Sequence, residues 1–391
     1  MKITYVSDFL NHHTLFLAQE LYNILGKNFY FIETENANKK NNAFKLGYAY
    51  YEASRNMANE FEWCLRSYIP EQYNYCEKII MESDAVIIGN TSDDLILNRL
   101  KKGLLTFRAH ERWYKKKIPF YKIPKAKLGG YIHHSRYKGL RMLAASAYTA
   151  ADASMAGCFK NKVYKWGYFP ELRTYNNLNI KRNNKTPTLL WSGRFVDWKH
   201  ADDAIRAAVN LKNNGYSFKL KILGSGDEEE ILKKMVYDNK LCKTVDFLGA
   251  ASPNHVRDIM EESDIFLFTS DFNEGWGVVL NEAMNSGCAV IASHAAGATP
   301  FLVRHKDNGL IYKSGSIEEL TKCIENLVNN ENLRKQYGAK AYDTICNMWS
   351  PENAAKRLIC LTNDLLSNKE VQFSDGVCSR APVIKNDWME K

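Results

Sequence analysis

From residue 188 to residue 330 the sequence alternates between short apolar runs and longer amphipathic stretches. That alternation limits the fold more than any other feature. TLLWSGRF (188–195), FKLKILGSG (218–226), VDFLGA (245–250), IFLFTS (265–270), AVIAS (289–293) and GLIYKSG (309–315) read as strands. The stretches between them, such as HADDAIRAAVNLKNNG (200–215) with its glycine stop, space their apolar residues as helices do. Buried strands joined by helices form a parallel, doubly wound sheet, and such a sheet offers ligands the carboxyl ends of its strands.

The first half repeats the theme less regularly. ITYVSD (3–8), NFYFIET (28–34), AVIIGN (85–90) and LLTFRAHERW (104–113) read as strands, and VYKWGYFP (163–170) closes the half. Residues 9–25 run from a loop into an amphipathic helix, and helical spacing returns around 55–80. Thr91, Ser92 and Asp93 look like an N-cap. GLRMLAASAYTAADASMAG (139–157) reads as helical, and the polar, tyrosine-rich residues 35–54 as an excursion. A second α/β domain is therefore expected. The boundaries are 1–170 for the first domain, 171–186 for a polar linker, 187–350 for the second, and 351–391 for a last helix with a tail.

Bulk properties agree. A chain of 391 residues exceeds one core, and 45% hydrophobic with 25% charged residues is ordinary for globular proteins. No run of 18 apolar residues is present, which argues against a membrane-spanning helix. The start, MKITYVSDF, reads as a strand rather than a signal peptide. Nine cysteines without any C-x-x-C fit reduced thiols and a cytoplasmic location. Charge is uneven: residues 1–170 hold 25 Lys and Arg against 15 Asp and Glu, and the remainder 28 against 29. A basic body joined to a neutral one has an anionic partner as its natural explanation: nucleic acid, a membrane surface or a phosphorylated substrate.

Two stretches carry chemistry. NEGWGVVLNEAMNSG (273–287) lies between two strand patterns and places Glu274 in a glycine-bearing loop, with Glu282 about one turn inside the helix that follows. The helix N-terminus, around Gly275, Trp276, Gly277 and Val278, favours a phosphate, and the glycines admit close approach. The carboxylates accept hydrogen bonds from neutral hydroxyls such as a ribose diol and a sugar. Phosphate with polyol means a nucleotide sugar. Upstream, LLWSGRFVDWKH (189–200) brings Gly193 and Arg194 to a strand end and Lys199 to the start of the next helix. Two cations there clamp a diphosphate. Gly224, within G-S-G, and Gly249 end the next two strands.

These residues resemble the Gly-Arg…Lys and E-x7-E motifs, in matching order, of the retaining group-one (family four) glycosyltransferases. The resemblance is strongest over 187–350. It implies the GT-B architecture, two Rossmann-like domains facing across a cleft, with the final helix crossing back to the first domain. It implies that Arg194 and Lys199 hold the donor diphosphate, Glu274 the donor sugar and Glu282 the ribose, with Gly193, Gly224 and Gly249 near the nucleotide. His110 matches a histidine that meets the transferred sugar, and His12 and His13 stand where a glycine-rich loop is usual. Phe301 replaces a glutamate found in many members.

Arg108 and Arg112 are candidates for meeting an acceptor phosphate, and His13 for acceptor or donor contact. His133 and His134 read as surface residues. The absence of any D-x-D argues for a metal-independent reaction without a cofactor. RWYKKKIPFYKIPKAK (112–127) mixes cations with aromatics, as a surface that docks on anionic lipid does. The reading is a transferase acting from a UDP- or GDP-sugar on a saccharide or lipid-diphosphate-linked acceptor in bacterial cell-surface polysaccharide synthesis. A nucleotide-sugar epimerase of the same fold, and a non-catalytic sugar-nucleotide or nucleic-acid binder, are the alternatives.

Overall fold

A computed structural model describes residues 1–35, 61–115, 118–178, 182 and 186–390. Most of the tyrosine-rich excursion and part of the helical spacing expected around 55–80 lie outside these residues. The chain divides into two compact units: Met1–Glu171 with Trp349–Lys385, and Leu172–Met348 with Asn386–Lys391.

The first unit is built on a seven-stranded parallel sheet. Its strands are β1 (Ile3–Ser7), β2 (Phe29–Glu33), β3 (Cys64–Arg66), β4 (Ala85–Ile88), β5 (Thr106–His110), β6 (Leu140–Ala144) and β7 (Val163–Lys165). Their order is β3-β2-β1-β4-β5-β6-β7. β6 corrects the sequence reading, which placed 139–157 in one helix. Leu, Met and Ala favour a helix locally, but Leu140–Ala144 pairs with β5 on one side and β7 on the other and is buried almost throughout. Tertiary burial overrides propensity here. Only Thr149–Met155 is helical.

Helix Leu15–Leu25 buries Leu15, Leu17, Ala18 and Leu21, and packs against helix Pro351–Leu366. The tail then lies along the edge strand β7. Cys378 N–H donates to the Lys165 carbonyl (2.8 Å), Lys165 N–H to that of Ser379 (2.8 Å) and Ala381 N–H to that of Val163 (3.0 Å). A covered edge is closed to pairing with another chain.

The second unit holds a six-stranded sheet: β8 (Thr188–Ser192), β9 (Lys219–Leu223), β10 (Val245–Gly249), β11 (Ile265–Phe268), β12 (Ala289–Ser293) and β13 (Leu310–Tyr312). All pairings are parallel, in the order β10-β9-β8-β11-β12-β13. Helix Ala201–Asn213 turns Ala204, Ile205, Ala208 and Leu211 into the core, where they meet Leu220, Ile222 and Tyr312. The segment read as a linker is instead fastened to this unit. Arg173 pairs with Asp258 (2.8 Å) and Glu261 (2.7 Å), and Arg182 donates to the Ser263 carbonyl (2.7 Å).

Both sheets reverse their strand order at one point, between β1 and β4 in the first unit and between β8 and β11 in the second. Ligands of open α/β sheets bind beside such points, at the carboxyl ends.

Candidate functional site

At the carboxyl ends of β8, β9 and β10 three glycines interlock. Gly193 N–H donates to the Leu223 carbonyl (3.0 Å), and Gly224 N–H to the Gly249 carbonyl (2.8 Å). Gly224 has φ +145°, and a Cβ there would stand 1.8 Å from the Gly193 carbonyl oxygen. Glycine is thus demanded by the packing of one loop on the next, independently of any ligand.

The loops after β8 and β11 are laced together. Thr269 Oγ1 donates to the Lys199 carbonyl (2.7 Å), and Asp271 N–H to the Trp198 carbonyl (2.9 Å). Across this lacing the Lys199 ammonium donates to the Glu274 carboxylate, which also accepts from Ser270 Oγ at 3.1 Å. Both charged groups are largely buried, with side-chain exposures of 15% and 13%. Lys199 and Glu274, 75 residues apart in sequence, are thus brought together. Arg194 is exposed, its guanidinium 5.7 Å from the centre of the Trp198 ring.

Gly277, at φ +90°, starts helix Val278–Asn285, and a Cβ on it would meet the Phe268 ring at 2.2 Å. The first N–H groups of this helix have no carbonyl within it to bond. Trp276 departs from the sequence reading. Its side chain is fully buried, donates from Nε1 to Asn281 Oδ1 (2.8 Å) and lies beside Phe301, ring centres 6.3 Å apart. The indole is core, and only its backbone borders the loop. The buried Phe301 ring, where the resembling family often has glutamate, is the apolar companion to that indole. Gly275 is buried too, and the Gly297 N–H donates to the Glu274 carbonyl at 3.2 Å.

Glu282 is half-buried one turn inside the helix, and burial pushes its carboxyl up to about 7 against the pull of Arg257 and Arg173. Sequence reading missed His200. It occupies the left-handed region at φ +52°, with Nε2 3.5 Å from Asp271 and Nδ1 3.8 Å from Asp202. The nearby Asp202 carboxylate, aided by Asp203 and Asp271, raises its pKa to about 9. The signal was present in the following Asp202 and Asp203.

In the first unit Arg108, on β5, donates to Asp93 Oδ1 at 2.6 Å. Asp93 therefore serves as a partner to Arg108, and its side chain makes no helix cap. His110 is exposed at the end of β5, its Nδ1 2.7 Å from the Glu111 carbonyl. Arg112 is a correction. It is 6% exposed, lies over the Tyr148 ring at 4.9 Å and faces Asp152 Oδ1 at 3.5 Å. Asp152 Oδ2 also accepts from the N–H groups of Trp113 (2.8 Å) and Tyr114 (3.0 Å), so this pair holds a turn. His13 stacks on Tyr168 (5.0 Å) and meets His12 at a tilt (3.7 Å), and burial pushes its pKa down to about 3.

His133 and His134, read as surface residues, line a cavity of about 740 Å³ together with Arg108, His110, Lys122 and Lys125. Nothing in their spacing showed this, because the residues that complete the cavity come from β5 and from the loop after β4.

Residues 176–344 match the family model described as "Glycosyl transferases group 1", in agreement with the group-one likeness that the motifs carry in that segment. An uncharacterized glycosyltransferase of Haemophilus influenzae is 32% identical over 42% of this chain and 45% of its own length. The lipopolysaccharide core biosynthesis glycosyltransferase LpsE of Rhizobium meliloti is 28% identical over 42% of this chain and 46% of its own. The chain thus spans less than half the length of these relatives. In fold, the chain is similar to Anabaena Alr3699/HepE, solved in complex with UDP: TM-score 0.64 and 14% identity over 94% of this chain and 100% of that one. The fold class is GT-B, as the motifs implied.

Proposed function

We propose that this protein is a retaining, metal-independent glycosyltransferase. It moves a sugar from a nucleoside diphosphate to a hydroxyl of a saccharide or lipid-linked acceptor in cell-surface polysaccharide synthesis. The observation that carries this reading is the Lys199–Glu274 pair, set between two laced loops at the second unit's switch point. A paired, largely buried cation and carboxylate form a preorganised polar site. A diphosphate arriving there takes over Lys199, and Glu274 is released toward a sugar hydroxyl. Arg194 supplies a second cation to the leaving diphosphate. Glu282 accepts from the ribose, with Gly193, Gly224, Gly249 and the backbone from Gly275 to Val278 lining the nucleotide. The leaving diphosphate assists deprotonation of the acceptor, so no separate general base is required.

The first unit meets an anionic membrane. Phe120 (83% exposed), Tyr121 (65%), Leu128 (60%) and Tyr131 (61%) stand out beside Lys122, Lys125 and Lys127, all on or next to helix Ile123–Gly130. Aromatics suit the headgroup level, and each cation adds about 1 kcal/mol near anionic lipid. Among the described residues no helix is long and apolar enough to cross a membrane.

The test is a thermal-shift panel of UDP, GDP, ADP and their sugar conjugates, on wild type and Glu282→Ala. One nucleotide should raise the melting temperature of the wild type and lose that effect in the variant. No shift with any of them defeats the donor reading. With the donor found, the anomeric configuration of product by NMR checks retention, and turnover unchanged by EDTA checks metal independence.

A further inference from the structure

We infer that the cavity beyond β5 in the first unit is a phosphate site, and that the acceptor is a phosphorylated molecule whose phosphate seats on Arg108, His110 and His133. The inference rests on reading the chain as a transferase and deepens it by naming the acceptor's chemistry.

The cavity is built as an anion site. Its floor is Arg108, whose Nη2 is held by Asp93 at 2.6 Å while its buried Nε has no partner among the described residues. A guanidinium with one arm anchored and another donor idle in a buried position lacks an acceptor, and leaving a buried donor unmade costs free energy. Beside it, His134 lies flat on Trp113, ring centres 4.9 Å apart and 10° between planes. Its Nδ1 is likewise buried without a partner among the described residues. Burial first, then the charges of Arg108, His133 and His110, drive the His134 pKa down to about 3, so this ring stays neutral.

Lys122 and Lys125 line the same cavity, whereas Asp93, the single carboxylate lining it among the described residues, is already engaged by Arg108. Fixed positive charge thus exceeds negative charge, as a phosphate dianion requires. The backbone is shaped for the purpose. Helix Ile123–Gly130 passes into a π-helical turn, Tyr131–Ser135, which carries His133 and His134. Gly130 packs so closely that a Cβ would lie 2.2 Å from the Ala156 carbonyl oxygen. Such turns are rare and recur at functional sites. The volume of about 740 Å³ far exceeds one phosphate, leaving room beside the Trp113 ring for the alcohol or sugar it esterifies.

Phosphate could come from a soluble ester or from a lipid headgroup, and the experiment separates them. Histidine ring resonances would be followed by NMR while glycerol 3-phosphate is added, and binding to phosphatidylglycerol vesicles measured by co-sedimentation. Resonances of His110 and His133 should move saturably, and Arg108→Gln should weaken the glycerol 3-phosphate affinity by about tenfold or more, as expected for losing a charged hydrogen bond. Lys125→Glu, exposed and free of the Asp93 pairing, should weaken it as well and guards against misfolding of the arginine variant. Vesicle binding should survive Arg108→Gln yet fall in the double variant Phe120→Ser, Tyr121→Ser if the phosphate ester is soluble. Loss of vesicle binding in Arg108→Gln would assign the site to the lipid headgroup. Absence of saturable shifts, or shifts equal in both cavity variants and wild type, overturns the proposal. Nucleotide thermal shifts in the same variants report on the second unit alone, so failure of this site and failure of the donor reading remain distinct.

Discussion

The two switch points share a strand order and differ in chemistry. In the second unit the loops after β8 and β11 are joined by a cation and a carboxylate, Lys199 and Glu274. In the first, the loops after β1 and β4 are joined by Asn90 Nδ2 donating to Asp8 Oδ2 at 2.8 Å, and the Thr34–Thr91 hydroxyl pair at 2.5 Å adds the loop after β2. One junction holds displaceable opposite charges, the other small groups that satisfy each other. The cationic cavity of the first unit lies off its switch point, beyond β5. The sheet supplies positions, and the loops decide which position becomes a site.

The sharpest way to break this contrast is Lys199→Ala. Turnover of the nucleotide sugar that stabilises the wild type should fall about 100- to 1000-fold, the range for losing one preorganised charge at a transition state. Asn90→Ala should leave it within a few-fold, and a comparable loss there would erase the distinction. Next in size is Gly224→Ala. A Cβ 1.8 Å from a carbonyl oxygen should cost about 3 kcal/mol in urea unfolding, against about 1 kcal/mol for Gly215→Ala, whose φ is +80° with open space around it.

His200 gives a smaller, pH-dependent effect. Its pKa is raised in the folded state, from the usual 6.5 to about 9. Its contribution is therefore fully present below about pH 6.5 and is lost as pH rises through about 9. After allowance for solvent screening, His200→Gln should be about 1 kcal/mol less stable than wild type at pH 6 and equal to it at pH 10. The smallest effect is at Glu282, whose raised pKa works the other way for a carboxyl. Folding favours the neutral form, so stability falls as pH rises from 4.5 to about 7. Glu282→Gln should melt about 2 °C above wild type at pH 8, a gain of about 0.5 kcal/mol, and show no gain at pH 4. A gain at both pH values would assign the effect to packing.

The sequence made the second unit legible because its information is local. Alternating strands and helices, glycine stops and the two motifs each lie within about 15 residues, and the structure keeps them. What escaped was set by distance. Arg112 looked like a ligand-facing cation because its partner Asp152 lies 40 residues away. Trp276 sat among glycines in a loop, and only its bond to Asn281 and the Phe301 ring beside it turn it inward. Leu140–Ala144 carried helix formers into a strand because strands flank it on both sides. His133 and His134 show the same limit: adjacency in sequence said nothing, and the cavity wall opposite them gave them meaning.

The first unit is assembled from two separated lengths of chain, Met1–Glu171 and Trp349–Lys385. A ribosome therefore delivers every strand of the second sheet before the helix that packs on Leu15–Leu25 has been made. Domains fold as units during synthesis, so the part begun first is the part finished last. Until Pro351–Leu366 arrives, the apolar face of the first helix waits uncovered, and a nascent chain stalled in between is the form most in need of a chaperone.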